Sequence, residues 1–211
     1  MPQGDDRGAI ILAGGDSKRL GCLKPVLELG GETLISRAVS GLSPLFNQIT
    51  VVTDRPDLFP HLPVQFAADL LTGYSKNPLR GIHAGLSASQ LPHQFVMACD
   101  MPFINIDLIN YMAQYASDYA VVVPRVDSHY QPLHAFYSRS CLEPIRQQVE
   151  QGGGKVTDFY RNVKVRYIEY AELIKFDPQE RSFFNINTWA DYETAERLLA
   201  GVRIPGKNSS T

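Results

Sequence analysis

The sequence of 211 residues predicts an α/β fold, a three-layer sandwich in which helices cover both faces of a mostly parallel, Rossmann-like sheet. Short apolar or β-branched runs alternate with segments whose apolar residues recur at helical spacing. This alternation implies right-handed strand–helix–strand crossovers. The first four strands are predicted at residues 9–12, 48–53, 64–68 and 94–99.

Helices and turns fill the gaps between these strands. After a short extended piece and turn at 25–33, Glu32 or Thr33 opens a helix whose apolar residues, through Leu42, share one face. A loop at 70–80 precedes residues 81–89, whose small side chains suit a helix packed tightly on the sheet, although glycine costs about 1 kcal/mol in a helix. Residues 107–119 predict the next helix.

The second half of the chain continues the pattern. The strand near His134 is expected to run antiparallel to the rest of the sheet, and the strand at 163–168 alternates as an edge strand does. Further strands are predicted at 119–124 and 132–137, and helices at 142–151, 155–160 and 191–199.

Length and composition indicate one domain over residues 1–200, with a flexible tail over 201–211. The content of 44% hydrophobic and 20% charged residues is ordinary for a globular protein, and a net charge of −2 gives no case for binding nucleic acid or a membrane. No run approaches the roughly 20 apolar residues of a membrane span. Three cysteines without metal-type spacing suit reduced thiols, so we expect a cytoplasmic protein.

The loop after the first strand carries the strongest functional signal. Leu12 and Ala13 lead into Gly14 and Gly15, and Lys18, Arg19 and Lys24 follow. Glycines let backbone amides form a concave anion site, and the cations add full positive charge. The glycine spacing fits neither the P-loop nor the dinucleotide fingerprint. The loop therefore predicts a phosphate-binding site of another type.

Asp100 carries the second signal, because it directly follows an apolar strand at the sheet edge where open α/β folds bind ligands. Magnesium in nucleotide sites is held by one or two carboxylates together with phosphate and water. We therefore expect Asp100 to hold Mg²⁺. A cap on the helix that begins near residue 104 is the alternative role.

Four segments together resemble the molybdenum cofactor guanylyltransferases. They are the loop Leu-Ala-Gly-Gly-x-Ser-x-Arg-Leu-Gly-x-x-Lys, the Cys-Asp-Met-Pro run at 99–102, the Pro-Leu-Arg-Gly-Ile run at 78–82 after Asp69, and Asn-Ile-Asn-Thr-Trp-Ala-Asp at 185–191. The resemblance covers residues 9 to about 199. It implies GMP transfer from GTP to the terminal phosphate of molybdopterin, with Mg²⁺ as cofactor and release of pyrophosphate. Transient contact with other cofactor-biosynthesis proteins or apoenzymes would follow.

The resemblance also implies roles for individual residues. Catalysis would fall to Lys24, Arg19 and Asp100; nucleotide binding to Leu12, Ala13, Gly14, Gly15, Lys24, Asp69 and Asp100; the metal to Asp100; and the pterin to Asn185, Asn187 and His134. A carboxylate at Asp69 can accept hydrogen bonds from the N1–H and amino group of guanine. Asp69 as a loop cap, the asparagines as parts of a turn and His134 as a structural histidine remain alternatives.

Two other functions stay open from the sequence. The family usually has an acidic residue directly before the lysine, whereas this chain has Leu23, as sister cytidylyltransferases also tolerate. A cytidylyltransferase acting on the same pterin or on another small phosphate is therefore the first alternative. An inactive nucleotide-binding regulator is the second, and the presence of Lys24 and Asp100 argues against it.

Overall fold

The computed structural model describes residues 6–14, 20–75, 77–153 and 155–201. The strands are β1 Arg7–Leu12, β2 Glu28–Leu29, β3 Glu32–Thr33, β4 Ile49–Val52, β5 Gln65–Ala67, β6 His93–Ala98, β7 Val121–Val126, β8 His129–Tyr130, β9 His134–Ser138 and β10 Val165–Ile168. The α-helices are α1 Leu34–Leu42, α2 Pro78–Ala88, α3 Ile106–Ala113, α4 Leu142–Glu150, α5 Tyr170–Leu173 and α6 Trp189–Leu199.

The main sheet has the strand order β10-β7-β9-β6-β1-β4-β5, with β8 paired to β7. Its strand pairs are parallel from β6 through β1 and β4 to β5, while β9 runs antiparallel to both β6 and β7. The predicted α/β class and the antiparallel strand near His134 are confirmed. Strand β10 lies at the edge, as its alternating pattern predicted.

Helices cover both faces of this sheet and give it two cores. Strand β1 shows why: its alternate residues Ala9 and Ile11 belong to the core beneath α1 and α3, and Ile10 and Leu12 to the core beneath α2 and α4. Successive side chains of a strand point to opposite faces, so a strand buried on both faces is apolar throughout. The continuous apolar runs of the sequence follow from this geometry.

Helix α2 lies unusually close to β1 because of its glycines. A Cβ built at Gly85 would lie 2.6 Å from Cγ2 of Ile10, and one at Gly81 would lie 3.1 Å from Cδ2 of Leu12. No side chain fits at the first distance without a shift of the helix or the strand. Glycine lowers the intrinsic stability of a helix, but here the glycines allow α2 to pack directly on β1. This close packing places the first turn of α2 over the end of β1.

Two helix boundaries differ from the prediction by three residues or more. Helix α2 begins three residues earlier than expected, because Asn77 caps it by accepting a hydrogen bond from the amide of Arg80 at 3.2 Å, and Pro78 suits the first turn. Helix α3 ends at Ala113 instead of Tyr119, since the chain tightens there into successive i→i+3 turns. The β8 hairpin and the short helix α5 were not predicted.

The C-terminal helix α6 packs away from the main sheet, on the β2–β3 hairpin. A small third core lies there, formed by Leu20, Leu29, Leu34, Ile186 and Ala195. This packing brings the segment before α6 next to the loop that follows β1. None of the helices in the described ranges is long and apolar enough to cross a membrane.

Candidate active site

A cavity of about 500 Å³ opens at the carboxyl ends of β1, β4 and β6. This is the edge at which open α/β sheets bind ligands. Its described lining consists of Leu12, Gly14, Lys24, Pro25, Val52, Thr53, Asp54, Asp69, Asn77, Pro78, Gly81, Ala98, Cys99, Asp100, Leu133, Asn185 and Asn187.

Sheet register fixes where this cavity lies. Leu12 pairs with Val52 on one side and with Ala98 on the other, so three strands end at the same level. The pairing continues one step past the strands, because the amide of Cys99 donates to the carbonyl of Leu12 at 3.1 Å. Asp100, the next residue, is therefore held at the floor of the cavity beside the loop that leaves β1.

Lys24 connects the two sides of the site. Its Nζ lies 2.7 Å from Oδ2 of Asp100 and 2.6 Å from Oδ1 of Asn187, and it donates to both. The Lys24 and Asp100 side chains are 18% and 16% exposed, so the ion pair is only partly screened by water. An ammonium group has three donors, which leaves one N–H of Lys24 for a ligand. Three residues predicted separately from sequence thus form one cluster.

Asn187 is held in this cluster by its own backbone. Its amide donates to Oδ2 of Asp191 at 3.0 Å, within the capping box by which Thr188 and Asp191 begin α6. One residue earlier, the amide of Ile186 donates to the carbonyl of Asp100 at 3.0 Å. Burial of the Asp191 carboxyl acts to raise its pKa, but the hydrogen bonds from Asn187 and Thr188 outweigh this effect and lower the pKa below its ordinary value. The C-terminal segment is therefore fixed against the end of β6.

Asn185 lines the same cavity, two residues along this extended segment. Its side-chain amide donates to the carbonyl of Phe183 at 2.9 Å, which leaves its side-chain oxygen for a ligand. Both predicted asparagines thus face the cavity, and both also take part in local hydrogen bonds of the kind expected of a turn.

Asp69 lines the opposite wall of the cavity, at the end of β5, and it is already paired. One carboxylate oxygen lies 2.7 Å from Nε of Arg80, and the other accepts a hydrogen bond from the amide of Leu71 at 3.0 Å. A carboxylate has about four lone-pair sites, so two acceptor positions remain for a ligand. Asp69 is therefore both the loop cap of the alternative role and a wall of the cavity.

Several predicted residues of the glycine-rich loop cannot be placed. Gly15 and Arg19 lie outside the described residues, as do Lys18 and the tail beyond Gly201. Gly14 lines the cavity and has open space where a Cβ would be. Ala13 is buried, and its amide donates to the carbonyl of Val52 at 2.9 Å. Asp100 does not cap a helix, because Asn105 caps α3.

His134 does not reach the cavity. It is 1% exposed, and its ring packs edge-on against Phe95 and Phe183 with centroids 4.9 and 5.3 Å apart. Neither ring nitrogen has a hydrogen-bond partner within the described part of the chain. In strand β9 its side chain points to the face covered by α3, as that of Phe136 does. The expected contact with substrate is therefore not made, and the structural alternative describes this histidine.

Burial of His134 predicts a pH dependence of stability. Desolvation lowers the pKa of this imidazole from an ordinary value of 6.5 to about 4, although the charge of Asp177 acts to raise it. Between these values the unfolded chain binds a proton that the folded chain does not, so the free energy of unfolding falls as pH drops from 6.5 towards 4. The loss is about 3 kcal/mol. In urea titrations, the free energy of unfolding of His134→Phe should fall less steeply over this pH range than that of the wild type. His61→Gln, at an exposed site, should show the same fall as the wild type. An unchanged slope in His134→Phe would contradict this account.

Sequence reasoning missed three polar residues of the lining. Thr53 and Asp54 follow β4 at the same sheet edge, so the rule that singled out Asp100 also applies to them. Asn77 lines the cavity as the cap of α2. Cys99 also lines the cavity. Burial, and to a smaller extent the charge of Asp100, raises the pKa of its thiol, which disfavours the nucleophilic thiolate.

Comparison with known proteins decides between the nucleotide-binding families that share this edge geometry. Residues 9–165 match the family model of the MobA-like NTP transferase domain. The chain belongs to this family. The curated relatives include a probable molybdenum cofactor guanylyltransferase of Pelotomaculum thermopropionicum, 37% identical over 202 residues that cover 96% of this chain and 94% of the relative. A molybdenum cofactor guanylyltransferase of Syntrophotalea carbinolica is 34% identical over 196 residues, 92% of each chain.

Solved structures agree with this MobA-like assignment. The molybdopterin-guanine dinucleotide biosynthesis protein A of Archaeoglobus fulgidus superposes with a TM-score of 0.82 at 28% identity, covering 92% of this chain and all of that one. The 2-C-methyl-D-erythritol 4-phosphate cytidylyltransferase of Thermus thermophilus superposes with a TM-score of 0.66 at 16% identity, covering 92% of this chain and 99% of that one, and so shares the fold. The family resemblance predicted from the motifs is confirmed.

Proposed function

We propose that the protein transfers GMP from GTP to the terminal phosphate of the molybdenum cofactor and releases pyrophosphate. The observation that carries the proposal is the Lys24 ammonium, held between Asp100 and Asn187 where the nucleotide-binding edge meets the C-terminal segment. The names of the curated relatives and of the Archaeoglobus structure support the substrate pair.

The bond changes need little covalent chemistry from the protein. An oxygen of the acceptor phosphate forms a bond to the α-phosphorus of GTP, and the bond from that phosphorus to the bridging oxygen of pyrophosphate breaks. The acceptor oxygen is already anionic, so no general base is required. The work of the site is to align the two phosphates and to stabilise the negative charge that builds on the leaving group.

Lys24 suits this work because its position is fixed before any ligand binds. Two of its donors are used by Asp100 and Asn187, and the third is left for a phosphate oxygen. Among the described residues, no atom lies within 4 Å of the position that a Cβ of Gly14 would take, so a phosphate could approach its backbone from this side. In our proposal Gly15 and Arg19, outside the described residues, complete the cradle for the β- and γ-phosphates.

Asn185 and Asn187 place the acceptor in this proposal. Their segment joins the nucleotide side through two contacts, from Asn187 to Lys24 and from the amide of Ile186 to the carbonyl of Asp100. An acceptor bound by the asparagines would therefore lie beside the lysine that meets the nucleotide. Proximity of this kind lowers the entropic barrier to reaction.

The residues present fit a magnesium ion. Oδ1 of Asp100 is buried and has no hydrogen-bond partner among the residues described, while Oδ2 is held by Lys24. We propose that Asp100 holds Mg²⁺, which supplies Lewis-acid charge stabilisation at the phosphates when bound.

Base choice is the part of the proposal that a binding experiment tests most sharply. If the remaining acceptor positions of Asp69 bind guanine, CTP and ATP should leave those positions without donors, at a cost of about 1–3 kcal/mol, so GTP should bind at least about five-fold more tightly. Asp69→Ala should weaken GTP binding and reduce the difference in affinity between GTP and the other two nucleotides. Calorimetric titration of the three nucleotides into both proteins is the measurement. A wild-type protein that binds CTP as tightly as GTP would favour the cytidylyltransferase alternative.

A further inference from the structure

Arg80 is a buried cation beside the candidate nucleotide site that the sequence motifs give no role. Its side chain is 7% exposed, compared with 21% for its partner Asp69, and Nε of the one lies 2.7 Å from Oδ2 of the other. Burying a guanidinium is costly unless it is paired and hydrogen-bonded. A residue at this position therefore requires an account beyond helix formation.

The guanidinium joins two parts of one wall of the cavity, and the backbone of the same residue meets a third. Nε meets Asp69 at the end of β5, while Nη1 donates to the backbone carbonyl of Tyr74 in the loop that follows. The backbone amide of Arg80 itself is capped by Asn77, where the loop enters α2. The planar, multi-donor fork of arginine can make these contacts together, whereas the single nitrogen of lysine cannot match that geometry.

This bridge determines how Asp69 faces the cavity. Oδ2 forms an ion pair with Arg80, although Nε has no hydrogen-bond partner among the described residues, and Oδ1 accepts a hydrogen bond from the amide of Leu71 at 3.0 Å, so both oxygens have a partner that restricts rotation of the carboxylate. Its remaining acceptor positions keep one orientation. The pair is also formally neutral, which matters beside a ligand that carries a triphosphate, because an unpaired carboxylate would repel it.

We propose that Arg80 is a positioning residue for base selection: by pinning Asp69 and the loop from Leu70 to Ser75, it holds the carboxylate ready for a purine base with two adjacent N–H donors. The inference rests on the proposed function, because it presumes that Asp69 reads the base. Discrimination between nucleotides would then also depend on Arg80, a residue that lies behind the wall of the cavity and acts through Asp69 without contacting the base.

The test compares GTP and CTP binding by calorimetry, in the presence of Mg²⁺, for wild type, Arg80→Met and Arg139→Met. Arg139 is the matched control, because it donates to the carbonyl of Leu86 near the other end of α2 at 3.1 Å and does not line the cavity. We expect Arg80→Met to weaken GTP binding by about five-fold or more and to change CTP binding less. The turnover number at saturating GTP should stay within a few-fold of wild type. Arg139→Met should keep the wild-type ratio of affinities.

Two further variants separate orientation from folding. Arg80→Lys keeps the buried charge but loses the fork, so it should also narrow the GTP-to-CTP ratio, and it carries the test if Arg80→Met does not fold. In an Asp69→Asn background, Arg80→Met should change the ratio no further, since Arg80 acts through Asp69. A wild type that prefers GTP, with the same preference in Arg80→Met or in a folded Arg80→Lys, overturns this inference alone. A wild type without preference overturns the proposed base choice and this inference with it.

Discussion

Lys24→Ala should lower the rate of GTP-dependent pyrophosphate release by about 10²-fold or more while leaving the fold intact. The variant removes the ammonium that is hydrogen-bonded to both Asp100 and Asn187. It therefore loses charge stabilisation at the phosphates and the link between the nucleotide and acceptor sides together. Most of the loss should appear in the turnover number, because the effect is larger in the transition state than in the bound ground state.

The control for this variant is Lys175→Ala, which removes an exposed lysine just past α5 that does not line the cavity. It should retain the wild-type rate. Thermal denaturation of both variants checks that the fold is kept. Activity of Lys24→Ala within a few-fold of wild type would contradict the role given to this lysine.

Asp100→Asn should abolish the magnesium-dependent part of turnover. The amide keeps the shape of the side chain but removes the negative charge, and with it both the ion pair to Lys24 at 2.7 Å and the ligand we propose for Mg²⁺. We expect a rate lower by about 10²-fold or more, from a metal effect worth several kcal/mol. Rates measured across a series of Mg²⁺ concentrations should show that added metal does not restore the wild-type rate.

Asp107→Asn is the matched control for this second variant. Asp107 lies seven positions further along the chain, in the first turn of α3, and is exposed. It should show the wild-type rate and the wild-type dependence on Mg²⁺. If Asp100→Asn keeps the Mg²⁺ dependence of the wild-type protein, the metal is held elsewhere and the proposed role of Asp100 is wrong.

The fold and the edge of the sheet that carries the cavity could be predicted from sequence, because both depend on local patterns. The continuous apolar strand followed directly by Asp100 indicates a buried parallel sheet and identifies its carboxyl edge. Even α2 was predicted despite its glycines. Its true start at Pro78 required recognition of Asn77 as a cap, which is also a local pattern and was overlooked.

Contacts between distant residues could not be read from the sequence in the same way. The hydrogen bond from Lys24 to Asn187 joins positions 163 residues apart, and it depends on the packing of α6 on the β2–β3 hairpin and on the hydrogen bond from Ile186 to Asp100. His134 illustrates the opposite error, since a polar residue beside the expected pocket packs instead into the core. The pairing of Asp69 with Arg80 likewise depends on the three-dimensional path of the loop between them.

Product analysis with GTP labelled at the α-phosphate tests guanylyl transfer itself most directly. The purified protein is incubated with the labelled nucleotide, Mg²⁺ and molybdenum cofactor, and both phosphate-containing products are quantified. The account predicts that the label moves into a pterin–guanine dinucleotide, with one pyrophosphate released for each label transferred, and that Lys24→Ala forms this product at least about 10²-fold more slowly. Label that remains in GTP, while α-labelled CTP passes its label to the same acceptor, would contradict it.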